Sequence, residues 1–356
     1  MDIVVEKAPV LKEKPQGALG FGKYYTDHMY VAKYDADKGG WYEQKIVPFG
    51  PLTISPASMV LHYAQETFEG LKAYRTQDGR IQLFRPEMNA RRFRNSNSRL
   101  SMPEVPEEMF VNAIEQLVAL EADWVPANEG ESLYIRPYMF ATEEAVGVHP
   151  SSKYDFIIIC SPVGAYYSTG VNPVKIWVED EYVRAAPGGT GFTKCGGNYA
   201  GSLKAQEKAE ENGYEQVLWL DGVHRKYIEE VGSMNVMFLI DGKVVTAPTD
   251  GTVLPGVTRN SIIQLLKDWG YEVEERHMSV DELMQAGRDG KLQEAWGTGT
   301  AAVISPIGEL CYRGEKITIN DFKTGDLTQK LYDTLTGIQW GKVEDPYGWI
   351  REVKVQ

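Results

Sequence analysis

One lysine stands inside a glycine-rich segment, APGGTGFTKCGGNYAG (residues 186–201), which contains six glycines. Glycine-rich backbone loses much freedom on folding, so it usually marks an unusual turn or the close approach of another group. The lysine, Lys194, could be an exposed side chain on a flexible loop. It could instead form a Schiff base with a carbonyl compound, because burial beside other cations favours the neutral, nucleophilic amine. A nucleotide loop fits poorly, since neither GxxxxGK[ST] nor a strand–GxGxxG–helix unit matches cleanly.

Two adjacent acids precede a Val-Gly-Ser turn in EEVGSMNVMFLI (residues 229–240). By itself this pattern is typical of a polar turn that closes a hairpin. A carboxylate at this place could alternatively keep a pyridinium nitrogen protonated, which makes the ring an electron sink.

Three further segments could bind an anion. LPGVTRNS (254–261) leads into a helix with Thr258 as the expected N-cap, and a helix N-terminus offers free N–H groups to a phosphate. GTGTAAV (297–303) is a small-residue turn with the same potential. NARRFRNSNSRL (89–100) holds four arginines in a chain of net charge −13, so one of them could clamp a phosphate. Taken singly, each segment is as well explained by structure alone.

The surrounding pattern predicts the elements that position these groups. LKAYR (71–75) and RIQLF (80–84) indicate a hairpin, and helices are expected from Pro86 to Leu100, over 107–125, from Ala200 to Asn212 and from Thr258 to Gly270. YIRPYMF (134–140), DFIIICSPV (155–163) and VKIWVED (174–180) are typical of buried strands. Since hairpins outnumber βαβ units, the sequence predicts two α+β domains with substantially antiparallel sheets.

Composition limits the possible partners. The net charge of −13 disfavours nucleic acid and anionic lipid surfaces. No apolar run approaches the roughly 18–20 residues that span a membrane, and the first residues do not resemble a signal peptide. The three cysteines and five histidines are scattered, which predicts no metal site and is compatible with a reducing cytoplasm.

Ten collinear pieces give the chain its resemblance to a known family. They run from about Leu19 to Gly341 and include FGKYYTDHM, HYAQETFEGLKAYR, FRPEMNARRF, YIRPYMF, PVGAYY, EEVGSMN, LPGVTRNS and GTGTAAV around the lysine segment. In this order they resemble the branched-chain amino acid aminotransferases, which are pyridoxal-phosphate enzymes of fold type IV. The resemblance implies an α+β, D-amino-acid-aminotransferase-like fold. It also implies amino transfer between leucine, isoleucine or valine and 2-oxoglutarate.

The resemblance also implies a role for each matching residue. Lys194 would carry the Schiff base with pyridoxal 5′-phosphate and then move the proton. The remaining cofactor-binding residues would be Arg92, Tyr199, Glu230, Ser233, Val257, Thr258 and Thr300, with Glu230 at the pyridine nitrogen. The substrate would contact Tyr134, Thr300 and Ala301 through its α-carboxylate, Arg136 through the glutamate side chain, and Tyr25, Tyr63, Phe68 and Tyr166 through its aliphatic chain.

The expected organisation is a smaller N-terminal domain (1–165), a linker (166–175) and a larger C-terminal domain (176–356) that carries the lysine. The resemblance further implies a homodimer. Three alternatives stay open: another fold type IV enzyme such as a D-amino-acid aminotransferase or aminodeoxychorismate lyase, a nucleotide-binding enzyme, and a binding protein without a cofactor.

Overall fold

The computed structural model describes residues 2–164 and 171–355. The chain divides into two units. The first consists of Met1–Tyr166, Thr193–Gly196 and Gly337–Gln356, and the second consists of Tyr167–Phe192 and Gly197–Thr336. These units depart from the predicted domains in two places, since the segment with Lys194 and the last twenty residues both group with the first unit. Most of the predicted linker lies outside the described residues.

A nine-stranded sheet forms the framework of the first unit. Its strands are β1 (Val4–Val5), β2 (His28–Asp35), β3 (Gly40–Pro48), β4 (Glu66–Phe68), β5 (Leu71–Arg75), β6 (Ile81–Phe84), β7 (Ser132–Ala141), β8 (Lys153–Val163) and, from the end of the chain, β18 (Ile350–Val353). They follow the order β1-β3-β2-β8-β7-β5-β6-β18, with β4 beside β7. β1 and β3 run parallel, and the other neighbours are antiparallel.

Helices cover one face of this sheet. They are α1 (Val60–Tyr63), α2 (Pro86–Arg99) and α3 (Glu107–Leu120), with 3-10 turns at Ala36–Lys38 and Ala122–Trp124. Phe93 of α2, Phe110 of α3 and Phe156 of β8 pack at the centre with ring centroids 5.4–6.0 Å apart. Because side chains alternate along a strand, Leu133 and Ile135 join this core, whereas Tyr134 and its even-numbered neighbours face away from the helices.

The second unit is built on another nine-stranded sheet, of mixed direction. Its strands are β9 (Val174–Glu179), β10 (Gln216–Leu220), β11 (Ile228–Val231), β12 (Met234–Ile240), β13 (Lys243–Thr246), β14 (Val273–Glu275), β15 (Leu292–Gly299), β16 (Val303–Tyr312) and β17 (Glu315–Thr318). The order is β11-β10-β9-β16-β15-β12-β13-β14, with β17 beside β16. Since β11 also pairs with β12, six of these strands close into a ring.

The remaining helices are α4 (Gly196–Ala200), α5 (Leu203–Glu211), α6 (Val257–Asp268), α7 (Val280–Arg288) and α8 (Asp326–Gln339). α7 shows why its sequence starts a helix where it does. The hydroxyl of Ser279 accepts the N–H of Glu282 at 3.1 Å, which caps the first turn. Leu283 and Met284 then bury against the ring of strands.

The sequence-based elements compare closely with the observed ones. The α+β class with largely antiparallel sheets is confirmed, as are the hairpin β5–β6 and the helix α2. Three helix predictions were wrong at their ends. The helix expected over 107–125 ends at Leu120, the one expected from Ala200 is split into α4 and α5, and α6 begins at Val257 with Gly256, not Thr258, as its N-cap.

Candidate active site

Lys194 is held at its backbone by two elements of the first unit. Its N–H donates to the hydroxyl of Ser96 on α2 at 3.0 Å, and its carbonyl accepts the N–H of Phe68 on β4 at 2.9 Å. Its side chain is half-buried, with Nζ 5.0 Å from the centroid of the Phe68 ring. The glycine-rich segment therefore does not leave its lysine on a free loop but fixes it between a helix and a strand.

Arg92 lies one helical turn before Ser96 on the same face of α2. Its Nε and Nη2 donate to the two carboxylate oxygens of Glu69 at 2.7 and 2.8 Å, while Asn89 donates to the same carboxylate at 2.8 Å. Burial alone would raise the pKa of Glu69, but the Arg92 guanidinium outweighs it and holds that pKa below its usual value, with a smaller contribution from Lys194. The paired guanidinium is thereby fixed in one orientation.

Tyr134 and Arg136 occupy neighbouring positions on the sheet face opposite the helices. Nη2 of Arg136 donates to the Tyr134 hydroxyl at 2.9 Å, and the Arg136 guanidinium carbon lies 4.7 Å from the centroid of the Phe68 ring. Nε of Arg136 is buried and has no hydrogen-bond partner among residues 2–164 and 171–355. The side chain of Tyr134 fits only because Gly70 has no Cβ, since an added Cβ would overlap the tyrosine hydroxyl.

The aromatic candidates for the substrate pocket are more scattered. Tyr25 stacks on Phe49 with ring centroids 4.9 Å apart and donates to the carbonyl of Gly22. Tyr63, at the end of α1, donates a short hydrogen bond to the carbonyl of Val146. Of the predicted substrate residues, Phe68, Tyr134 and Arg136 are therefore seen together, whereas Tyr166 lies outside the described residues.

In the second unit, Glu230 on β11 is almost fully buried and ion-paired. Its Oε2 lies 3.0 Å from Nε of Arg184, and its Oε1 accepts the N–H of Leu254 at 2.7 Å. Arg184 is held in turn by the carbonyls of Thr252 and Gly191, at 3.0 and 3.2 Å. This arrangement keeps the carboxylate of Glu230 charged and in a fixed orientation.

The N-terminus of α6 lies near Glu230. The Asn235 amide donates both to Glu230 at 3.3 Å and to the carbonyl of Leu254 at 2.9 Å, just before the helix begins. The N-cap residue Gly256 supplies no capping side chain, so the N–H groups of Val257 and Thr258 in the first turn have no acceptor within the helix. A helix start of this kind suits a phosphate group.

Two turns supply the other candidates of this unit. Ser233 lies in the exposed turn between β11 and β12, where it lines a small cavity with Tyr199, Asn198 and Arg184. Thr300 and Ala301 lie in the turn between β15 and β16. The hydroxyl of Thr298, at the end of β15, is buried and has no hydrogen-bond partner in the described part of the chain.

Two charged residues escaped the sequence analysis. Glu69 follows directly after β4, and Arg184 lies in an irregular stretch, YVRAAP, without periodicity. Each forms a buried ion pair with a residue that was predicted, Arg92 or Glu230. The only available signal was the general rule that a buried charge needs a partner of opposite charge, which does not identify that partner.

Two other classes of feature were searched among the described residues. No group of three or more His, Cys, Asp or Glu side chains is placed to hold a metal ion. No helix in the described ranges has the length and apolar character needed to cross a membrane.

Comparison with known proteins gives a consistent picture. The family model described as class IV amino-transferase matches residues 66–310. Branched-chain-amino-acid aminotransferase 2 of Bacillus subtilis (strain 168) is 55% identical over 352 residues, which cover 99% of this chain and 97% of that protein. The probable branched-chain-amino-acid aminotransferase of Staphylococcus aureus (strain N315) is 57% identical over 349 residues, covering 98% and 97%.

Solved structures agree. A branched-chain amino acid aminotransferase of Escherichia coli superposes with a TM-score of 0.76 at 27% identity and covers 92% of this chain and 99% of its own. A second branched-chain amino acid aminotransferase, from the organism abbreviated T.th. and solved with pyridoxamine 5′-phosphate, gives a TM-score of 0.75 at 28% identity and covers 91% and 98%.

Proposed function

The chain belongs to the class IV aminotransferase family, and on that basis we propose that it transfers the amino group between a branched-chain amino acid and 2-oxoglutarate. The amino acids are L-leucine, L-isoleucine and L-valine, and the cofactor is pyridoxal 5′-phosphate. The observation that carries this proposal is the end-to-end similarity to the Bacillus subtilis aminotransferase, with more than half of the residues identical.

The donor set fits the cofactor. An uncapped helix start at Val257 and Thr258 suits its phosphate, and a buried carboxylate at Glu230 suits a protonated ring nitrogen. When bound, the cofactor supplies an electron sink that stabilises negative charge at the substrate Cα. The further residues that we assign to cofactor binding are Arg92, Lys194, Tyr199, Ser233 and Thr300.

Lys194 provides the acid–base chemistry in this proposal. Its Nζ attaches the cofactor between turnovers, and after release it carries the proton from the substrate Cα. One free amine can serve both ends of this proton shift, so no second base is required. The two backbone hydrogen bonds of Lys194, to Ser96 and Phe68, keep the amine in position during the transfer.

The substrate meets two kinds of surface. Tyr134 together with the N–H groups of Thr300 and Ala301 binds the α-carboxylate, and the buried Nε of Arg136 supports its assignment to the side-chain carboxylate of glutamate. A charged side chain buried without such a partner would be strongly disfavoured. The aliphatic side chains are assigned to Tyr25, Tyr63, Phe68 and Tyr166.

We further assign the protein to the cytoplasm as a homodimer. An exposed apolar patch on the first unit supports self-association, because monomeric proteins seldom leave such a patch uncovered. Hydrogen bonds join its two segments, residues 52–63 and 144–148. The patch contains Leu52, Ile54, Leu61, Tyr63, Val146 and Val148, of which Val148 is 83% exposed.

An absorption spectrum of the purified protein tests the proposal. We expect a visible band from the lysine-bound cofactor, which L-leucine should bleach and 2-oxoglutarate should restore. Lys194→Ala should abolish turnover while the phosphate-binding residues still retain the cofactor. A colourless protein, or normal turnover by the lysine variant, would contradict the proposal. Reaction with D-amino acids in place of the L-forms would favour the D-specific relatives.

A further inference from the structure

Glu66 is a half-buried carboxylate on the sheet face that carries Tyr134 and Arg136. In the antiparallel pairing of β4 with β7, it lies directly opposite Phe140. Opposed residues of two strands point to the same face, and so do alternate residues along β7. Glu66, Arg136 and Phe140 therefore share one side of the sheet, away from the helical core.

The carboxylate of Glu66 also contacts the lysine segment. It accepts a short hydrogen bond from the N–H of Gly196, two residues after Lys194. An added Cβ on Gly196 would overlap this carboxylate, so glycine is needed at that position. Together with the bond from Phe68 N–H to the Lys194 carbonyl, β4 holds the segment on both sides of the lysine.

Glu66 and Arg136 interact electrostatically. Burial raises the pKa of the Glu66 carboxyl, while the Gly196 N–H and the positive charge of Arg136 offset part of that rise. Arg136 meanwhile keeps a buried Nε without a hydrogen-bond partner in the described ranges. The cation thus has a negative charge nearby but retains donor capacity for a ligand.

We propose that Glu66 is the counter-charge of Arg136 and sets the balance between apolar and dicarboxylic substrates. This inference rests on the proposed function. When an aliphatic side chain is bound, Arg136 receives no charge from the substrate, and Glu66 balances it. When glutamate or 2-oxoglutarate is bound, Glu66 repels the second carboxylate that Arg136 attracts. Glu66 therefore favours branched-chain substrates over dicarboxylates.

The test compares two unreactive probes on the cofactor-loaded enzyme. Glutarate presents two carboxylates, and 4-methylpentanoate presents one carboxylate with a leucine-like chain. Glu66→Gln removes the charge but keeps an oxygen that can accept the Gly196 N–H. We expect the ratio of dissociation constants, 4-methylpentanoate over glutarate, to rise about 5- to 30-fold, which corresponds to roughly 1–2 kcal/mol. Isothermal titration calorimetry measures both constants.

Two variants complete the design. Asp155→Asn removes another half-buried carboxylate of the first unit, whose charged neighbours are Lys33 and Glu43 rather than Arg136, and should leave the ratio unchanged. Glu66→Ala removes both the charge and the hydrogen bond, so it must shift the ratio in the same direction as Glu66→Gln. A ratio within twofold of wild type in Glu66→Gln overturns the proposal, as does a shift produced only by Glu66→Ala, which would indicate a structural role. Turnover of leucine and 2-oxoglutarate by the wild-type enzyme tests the proposed function independently.

Discussion

Arg184→Met probes the buried ion pair that fixes Glu230. The side chains of Arg184 and Glu230 are only 6% and 2% exposed, and their Nε–Oε2 distance is 3.0 Å. Methionine fills a similar volume without a charge, so the variant leaves a buried carboxylate that has lost its cation. We expect the cofactor-free protein to lose stability in proportion.

The structure sets the size of that loss. Removing one partner of a buried ion pair typically costs about 3–5 kcal/mol. Glu230 keeps hydrogen bonds from the Leu254 N–H at 2.7 Å and from the Asn235 amide at 3.3 Å, which continue to stabilise its charge. We therefore expect the free energy of unfolding to fall by about 3 kcal/mol, at the lower end of that range.

Urea denaturation of the cofactor-free protein measures the loss, and a double-mutant cycle assigns it to the pair. Glu230→Gln should partly rescue Arg184→Met, because the unpaired charge is then gone, and the coupling energy should be about 2 kcal/mol or more. Arg313→Met is the matched control. Its pair with Asp180 has nearly the same N–O distance, 2.7 Å, but lies at the surface and should contribute little.

The reasoning would be refuted by Arg184→Met lying within about 1 kcal/mol of wild type, or by a coupling energy near zero. Either result would mean that Leu254 and Asn235 alone keep Glu230 in place. The cofactor then provides a second readout. Added pyridoxal phosphate should stabilise Arg184→Met more than wild type, because its ring nitrogen would return a positive charge to Glu230.

Four other perturbations give separate tests. Arg136→Met should lower kcat/KM for glutamate by about 10- to 150-fold, the value of a hydrogen bond to a charged group, and affect leucine much less; equal losses in single-turnover assays would show that it only supports the strand. Gly70→Ala should displace the Tyr134 hydroxyl and lower kcat/KM for both substrates by roughly 100-fold, and steady-state rates near wild type would mean that the tyrosine is not needed. Glu229→Gln should retain cofactor and activity, because burial raises the pKa of this carboxyl and one of its oxygens has no hydrogen-bond partner in the described ranges; a strong loss of turnover would instead give Glu229 the role assigned to its neighbour. Burial lowers the pKa of Lys72 from 10.5 to about 8, so the unfolded chain binds this proton more tightly and stability should rise with pH between those values; urea titrations of Lys72→Met should lack that rise, and an unchanged pH profile would contradict it.

Local pattern predicted much of the frame. Alternation and turn chemistry identified the hairpin around Asp241 and Gly242, where both residues have positive φ as a tight turn requires. Helical periodicity identified α2 and α3. These features depend on contacts between residues that are close in sequence, so a single sequence contains the information.

The errors arose where tertiary contacts decide the outcome. Thr258 is a good N-cap by local preference, but the chain stays extended only through Gly256, where a Cβ would overlap the Asn235 amide oxygen. The pairing of Glu69 with Arg92 depends on how β4 packs against α2, which neither segment specifies alone. Arg184 is similar, since its partner Glu230 lies on a different strand.

The last strand, β18, affects the order in which the protein can fold as it is synthesised. It pairs with β6, and the Gln82 amide beside it donates to the carbonyl of Ile338, 256 residues further along the chain. During synthesis β6 is therefore an edge strand with unpaired N–H and C=O groups until almost the whole chain has left the ribosome. Such an edge is a template for unwanted pairing with other chains. Nascent chains that stall before residue 350 should consequently aggregate through the first sheet, even when every residue assigned to catalysis has already been made.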